Sequence, residues 1–327
     1  MIEDFLAAHG FGAATQQPLP ADASFRRYIR LQGGPRPALL MVAPPPEDVR
    51  PWLRLARHLL AAGLSAPEVF AADEAQGLLL IEDFCATTVA QQLDGAADPL
   101  PLYEEAAEAL AALHEAPVPE GLPAWDATAM SRATAATFLD WWWPATFGVA
   151  ATQEQREALD AALQAMLRPF AATRTLVHRD YFPANLMRLP QRAGARRMGL
   201  LDFQDAALGH PAYDLVSLVE DARRDVAPAV RRAALMRYLR HRSNLRAEDF
   251  LGAMAACGAQ RHLRVAALWV RLARRDHKPH YLQHGPRCWA LLQRALSQPA
   301  CAPLRDFLDA HVPPGLRRNP DAVTEAP

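Results

Sequence analysis

The sequence predicts an α+β chain of two lobes, a small β-rich N-lobe over residues 1–82 and a larger, mainly helical C-lobe over 83–327. Three observations predict it. Strand-like apolar runs crowd into the first 85 or so residues. Helical spacing of apolar residues dominates the rest of the chain. The length, 327 residues with 51% of them hydrophobic, is enough for two cores.

In chain order, residues 1–17 read as a short helix ending near Gly10 or Gly12. Tyr28 to Leu31 and Ala38 to Val42 are strands joined by Gln-Gly-Gly-Pro, which is hairpin chemistry. After Pro44-Pro45-Pro46, a helix is predicted from Val49 to Ala62, with Trp52, Leu55, Leu59 and Leu60 mostly on one face. Val69 to Ala71 and Gly77 to Ile81 are two more short strands. Beyond Glu82-Asp83-Phe84, helical spacing covers 102–114, 152–170, 228–240, 247–256 and 260–275. Thr175 to Val177 and Met198 to Leu201 interrupt the helices as short strands. The last dozen residues, rich in proline and polar groups, read as a loose tail.

Composition excludes several classes. Thirty-five basic residues against 36 acidic ones give a net charge of −1, so no field recruits nucleic acid or an anionic membrane. Four dispersed cysteines form no CxxC pair, which removes zinc-ribbon and thioredoxin-like readings. No run of about 18 apolar residues exists. Acidic Glu3 and Asp4 precede the first apolar stretch, unlike a secretory leader, so a cytoplasmic protein is expected.

Chemistry concentrates in Leu176-Val-His178-Arg179-Asp180-Tyr-Phe-Pro-Ala-Asn185, followed by Gly199-Leu-Leu-Asp202-Phe203-Gln204-Asp205. A strand leads into His-Arg-Asp, an asparagine follows five positions after the aspartate, and a second strand ends in Asp-Phe. Phosphoryl transfer needs a carboxylate at the acceptor hydroxyl, for which Asp180 is the candidate. It also needs hard oxygen ligands for Mg²⁺, for which Asn185 and Asp202 are the candidates. Either half alone is a common string; the order and the strand context make the pair specific.

On these residues the chain resembles the aminoglycoside phosphotransferase and choline kinase superfamily, which has the protein-kinase-like fold. The resemblance implies ATP as co-substrate with Mg²⁺, Asp180 as catalytic base, Asn185 and Asp202 as metal ligands, and His178 as support for the catalytic loop. Gly209-His-Pro-Ala-Tyr-Asp214-Leu matches that family's Gly-Asp-Pro-x-x-Asp-Leu, so Asp214 is expected to cap amides of the loop, or equally to start a helix. His210 replaces an acidic residue there and is given no role. Within the superfamily the likeness is greatest to bacterial anomeric sugar kinases, which phosphorylate C1 of N-acetylmuramate and N-acetylglucosamine in cell-wall recycling. It rests on Asp22-Ala-Ser-Phe-Arg-Arg-Tyr, Leu39-Leu-Met-Val-Ala-Pro-Pro, Leu78-Leu-Leu-Ile-Glu-Asp-Phe, Leu201-Asp-Phe-Gln-Asp-Ala and Arg275-Asp-His-Lys-Pro-His-Tyr-Leu. The partners so implied are a nucleotide and a small-molecule sugar, with no nucleic acid and no membrane.

Two departures stand out. Kinases place a lysine on the third strand to hold nucleotide phosphates, and here Met41 stands at that position, Lys278 being the sole lysine. The nucleotide-covering hairpin also lacks glycines, leaving Ser24 with Arg26 or Arg27 as candidate phosphate contacts and Glu82 to Phe84 as the segment facing the base. Arg275, Asp276 and Trp142 are the candidate acceptor contacts, although core packing is the better reading for at least two of the Trp141-Trp142-Trp143 run, because consecutive residues point in different directions around a helix. Two other activities stay open: a kinase for an aminoglycoside or choline, and a nucleotide-binding module without turnover.

Overall fold

The computed structural model describes residues 2–20 and 26–320. In order they form α1 (Ile2–Ala8), β1 (Thr15–Pro18), β2 (Arg27–Gln32), β3 (Ala38–Val42), α2 (Arg50–Ala61), β4 (Val69–Asp73) and β5 (Leu78–Glu82). Then come α3 (Val89–Asp94), α4 (Pro99–Glu115), β6 (Ala124–Trp125), α5 (Ala127–Thr137), α6 (Trp143–Phe147) and α7 (Gln153–Leu167). Four short strands follow, β7 (Thr175–Val177), β8 (Leu186–Arg188), β9 (Met198–Leu200) and β10 (Ala207–Gly209). The chain finishes with α8 (Ala212–Val219), α9 (Pro228–His241), α10 (Ala247–Arg275), α11 (Gly285–Leu296) and α12 (Ala302–His311). It divides into two compact units, one of residues 1–117 with 183–205 and the other of 118–182 with 206–327.

The first unit is built on an antiparallel sheet in the order β1-β2-β3-β5-β4. Leu31, Ala38, Leu40, Val42, Leu78 and Leu80 line one face and pack with Leu6 and Phe11. On the other face Met41, Leu79 and Ile81 are buried as well, which is why β3 and β5 read as unbroken apolar runs and not as alternation. α2 contributes Trp52, Leu53, Leu55, Ala56 and Leu59 to the core of this unit. Gly77 has φ +65°, and a Cβ there would stand 1.9 Å from the Ala43 carbonyl oxygen, so only glycine lets the β4–β5 turn accept this approach. The hairpin β8–β9 belongs to this unit too. Arg188 makes a two-pronged pair with Glu105 on α4 (2.8 and 2.7 Å), and Ser65 Oγ donates to the Arg196 carbonyl at 2.8 Å. The boundary expected at residue 82 therefore falls inside this unit, because α3, α4 and the later hairpin pack with the sheet.

The second unit packs helices around α10, which meets α5, α8 and α11. A small sheet in the order β6-β10-β7 crosses it. The two helical segments expected on either side of residue 258 are one 29-residue helix. Gly258 sits inside it without breaking it, and a Cβ there would meet Glu220 Oε2 at 3.5 Å and Val216 at 3.6 Å, ordinary contact distances. At 138–142 the helix following α5 widens into a π turn. Among the described residues no helix is long and apolar enough to cross a membrane.

Candidate functional site

In the second unit, β7 is wholly buried and pairs with β10 in the register Val177↔Ala207, Leu176↔Leu208, Thr175↔Gly209. The chain leaves β7 through Arg179, whose φ of +73° turns it sharply before Asp180. That turn is held by Asp214, in the first turn of α8 and fully buried. Its carboxylate accepts from the backbone N–H groups of His178 (2.6 Å) and Arg179 (2.8 Å). Two charge-assisted bonds from one buried carboxylate fix the loop's direction before any ligand arrives. Of the two meanings expected of Asp214, the carboxylate meets the loop clamp; it does not cap α8, whose N-cap is Pro211 with no side-chain bond.

His178 is buried edge-on against the fully buried Tyr181, and its ring nitrogens meet no hydrogen-bond partner among the described residues. The Arg179 guanidinium lies 4.1 Å over the Trp125 ring. Asp180 is half-buried, and its carbonyl accepts from Phe182 N–H at 3.1 Å. Beneath the loop stands Arg261, only 3% exposed on α10. Burial works against its charge, but Tyr213, Asp180 and Asp221 outweigh it, so Arg261 holds its proton more tightly than a free arginine. Arg223 places its guanidinium 4.7 Å over Phe182 and 5.1 Å over Trp269 while remaining exposed. Arg261 escaped the sequence reading because it belongs to no motif, and Arg223 opens a basic run, 223–246, that reads from sequence as solvated surface; only packing brings them to the loop.

In the first unit, Asn185 ends a short 3₁₀ turn just ahead of β8, and Asp202 follows β9 closely. The ladder pairs Leu186 with Leu200, and one step further the Asn185 carbonyl accepts from Leu201 N–H at 3.0 Å. Residues seventeen positions apart are thereby brought to adjacent strand ends. Asp202 has φ +58°, lies exposed, and accepts from Gln204 Nε2 at 2.8 Å. Phe203 turns the opposite way, 1% exposed, with its ring 5.2 Å from Trp52 of α2. An amide carbonyl and a carboxylate form a hard-oxygen donor pair, which fits Mg²⁺ completed by water and phosphate oxygens. Among the described residues no group of three histidine, cysteine or acidic residues is placed to hold a metal ion.

The remaining candidates divide. Glu82 receives Arg192 in an ion pair, and the same guanidinium donates to Ser65 Oγ at 2.8 Å. Phe84 packs against Gly199, where a Cβ would come 2.7 Å from its ring, with Arg192 stacked 5.2 Å above it. Arg26 pairs with Glu47 at 3.3 Å, whereas Arg27 is exposed on the opposite side of β2. Ser24 lies outside the described residues. Trp142 is corrected from sugar platform to core. It is fully buried, stacked on Phe138 at 4.7 Å, with its indole N–H donating to the Arg318 carbonyl at 2.9 Å. Arg275 and Asp276 are tied to each other by two bonds of 2.9 and 3.1 Å at the end of α10.

The model of the phosphotransferase enzyme family, APH, matches residues 15–251. An N-acetylmuramate/N-acetylglucosamine kinase of Caulobacter vibrioides is 37% identical over 96% of each chain. A protein of the same name from Pseudomonas aeruginosa is 36% identical over 96% of this chain and 94% of its own. A choline/ethanolamine kinase family protein of Mesorhizobium loti superposes with a TM-score of 0.64 at 15% identity, over 94% of this chain and 100% of the other. An aminoglycoside phosphotransferase, APH(4)-Ia, in ternary complex with AMP-PNP and hygromycin B, gives 0.60 at 17% identity over 89% and 97%. With a β-sheet N-terminal part, a helical remainder and that likeness over nearly its whole length, this chain has the protein-kinase-like fold and belongs to the phosphotransferase enzyme family.

Proposed function

We propose that the protein transfers the γ-phosphoryl of ATP to the anomeric hydroxyl of N-acetylmuramate or N-acetylglucosamine, a step of cell-wall recycling. The observation that carries the reading is the clamped loop: one buried carboxylate, Asp214, holds two successive amides and so presents Asp180 on a rigid turn. Relatives bearing that substrate name at 31–37% identity over most of the chain support the choice of sugar.

Asp180 takes the role of base. It orients the acceptor hydroxyl and receives its proton as the oxygen attacks phosphorus. A hemiacetal hydroxyl is more acidic than an ordinary alcohol, so a carboxylate is base enough. Asn185 and Asp202 would hold Mg²⁺, which when bound neutralises charge on the phosphates. Arg223 offers its exposed guanidinium to the lactyl carboxylate of N-acetylmuramate; its flat fork suits a carboxylate, and the rings of Phe182 and Trp269 keep it in place. Arg223 and Arg261 beside the loop also argue against choline or an aminoglycoside, because a cationic acceptor would meet like charge.

The test is ADP release with Mg²⁺-ATP across N-acetylmuramate, N-acetylglucosamine, choline and kanamycin. Turnover confined to the N-acetylated sugars, yielding the 1-phosphate and absent in Asp180→Asn, is expected. Turnover only with choline or kanamycin would overturn the sugar and keep the site. Nucleotide binding without release on any acceptor would favour the regulatory module.

A further inference from the structure

We propose that the cavity between α9 and the end of α11 is a binding site for a phosphate monoester, whose dianion is held by Arg231, Arg232 and Arg294. The site shares no residue with the candidate phosphoryl-transfer loop, and it goes beyond the kinase reading without resting on it.

Packing gathers part of the basic run 223–246 into one place. Pro228, Arg231, Arg232 and Leu235 follow the spacing i, i+3, i+4, i+7, so they share one face of α9. Arg294, in the last turn of α11, comes to the same place. With Val226 these residues line an open cavity of about 300 Å³, at the lower end of the range for small-molecule sites. Its lining holds three guanidiniums and no carboxylate among the described residues.

The charges there do not cancel. Arg231 and Arg294 each turn Nη2 to the same atom, Glu220 Oε1, Arg294 at 3.2 Å. Glu220 is itself buried, and its other oxygen is taken by His262 Nε2 at 2.6 Å. One carboxylate thus draws two like charges together without neutralising both. Arg232 is exposed, stands outside the Glu220 ion pairs and adds a third charge. Burial pulls the Arg231 pKa below its usual value, Glu220 opposes the fall, and the Arg294 charge adds to it. Three cations against one anion leave an excess of two charges, close to the charge of about −2 on a phosphate monoester near neutral pH. The planar forks of guanidinium groups match phosphate oxygens, and partial withdrawal from water strengthens each contact. Val226, Pro228 and Leu235 supply an apolar wall for the carbon part of the ester.

Calorimetric titration of the full chain with inorganic phosphate and with phenyl phosphate tests the assignment. Both are expected to bind at millimolar concentration, phenyl phosphate the more tightly because its ring meets the apolar wall. Arg232→Gln is expected to weaken both about tenfold, the scale of one charge-assisted contact, with Arg232→Lys recovering part of the loss. Because Arg232 is exposed and outside the Glu220 pairs, the ligand-free Tm of both variants should match wild type. Arg240→Gln, exposed further along α9, is expected to change neither affinity. Absence of binding to the wild-type chain, or unchanged affinity in Arg232→Gln, would overturn the proposal. An equal loss in Arg240→Gln would show diffuse surface charge and overturn it too. Phenyl phosphate binding no more tightly than inorganic phosphate would assign the cavity to free phosphate and overturn the ester.

Discussion

Asp214 shows how one side chain serves folding and chemistry together. Fully buried, it satisfies two amides of a turn that contains a left-handed residue, so its replacement is felt twice. Asparagine at 214 turns one acceptor into a donor facing an N–H group. Asp214→Asn is expected to cost about 3 kcal/mol of stability, the scale of losing a hydrogen bond to a buried charge, and to lower kcat more than it raises the KM for nucleotide. Urea unfolding and steady-state kinetics read the two effects separately. Arg223 makes the opposite kind of contribution, exposed and stacked. Arg223→Gln is expected to raise the KM for N-acetylmuramate about tenfold, the scale of one charge-assisted contact, and to leave N-acetylglucosamine nearly unchanged. Equal loss for both sugars would detach Arg223 from the lactyl group.

A buried charge cluster links α8, α9, α10 and α11. Glu220 is 7% exposed and meets His262 Nε2 at 2.6 Å, Arg294 at 3.2 Å, and Arg231. Burial pushes the Glu220 carboxyl up, but His262 and the two arginines together outweigh it and bring it down to about 2. Burial lowers the His262 pKa in turn, against the pull of Glu220, so the arginines are the dependable partners of the carboxylate near neutral pH. A carboxyl whose folded pKa is depressed stabilises the protein above its unfolded value of 4.5, and that contribution is lost as pH falls toward 2. The stake is about 3 kcal/mol by pKa difference. Glu220→Gln is expected to lower Tm at pH 7 and to flatten the decline of Tm between pH 5 and 3 relative to wild type.

The same helices show what the sequence made legible. The apolar runs of β3 and β5 and the face of α2 could be read directly, because their periodicity is their burial. The Asp180, Asn185 and Asp202 segments could be read because strand, turn and polar residue follow one another locally. α10 was expected in two pieces on either side of Gly258, and packing against α5, α8 and α11 carries it through that position as one helix. Gly258→Ala is expected to raise stability by up to about 1 kcal/mol, helix propensity acting where a methyl finds ordinary contact distances. A fall in Tm would mean that the Glu220 cluster cannot yield. β1, α3 and β8 were missed because they are short and defined by their partners; Trp142 was ambiguous because three adjacent tryptophans carry no periodicity.

For the molecule as a whole, the metal is expected to matter to turnover and not to folding. The proposed ligands, Asn185 and Asp202, are two, too few to organise a fold, and the hairpin that carries them is held by its own ladder and by Arg188 and Arg192. EDTA should abolish ADP release, Mg²⁺ should restore it, and the far-UV circular dichroism and Tm should not move. A shift of several degrees on chelation would imply a structural metal.

The chain also leaves its first unit at Pro117 and returns to it only for 183–205. During synthesis, then, the β-sheet emerges from the ribosome well before the hairpin that completes it. Until then Glu105 and Glu82 have yet to meet Arg188 and Arg192, and Phe84 waits for the glycine surface of β9. A nascent chain stalled before residue 183 would expose that apolar edge to chaperones, and no single cut of the gene could yield the first unit as an independent fragment.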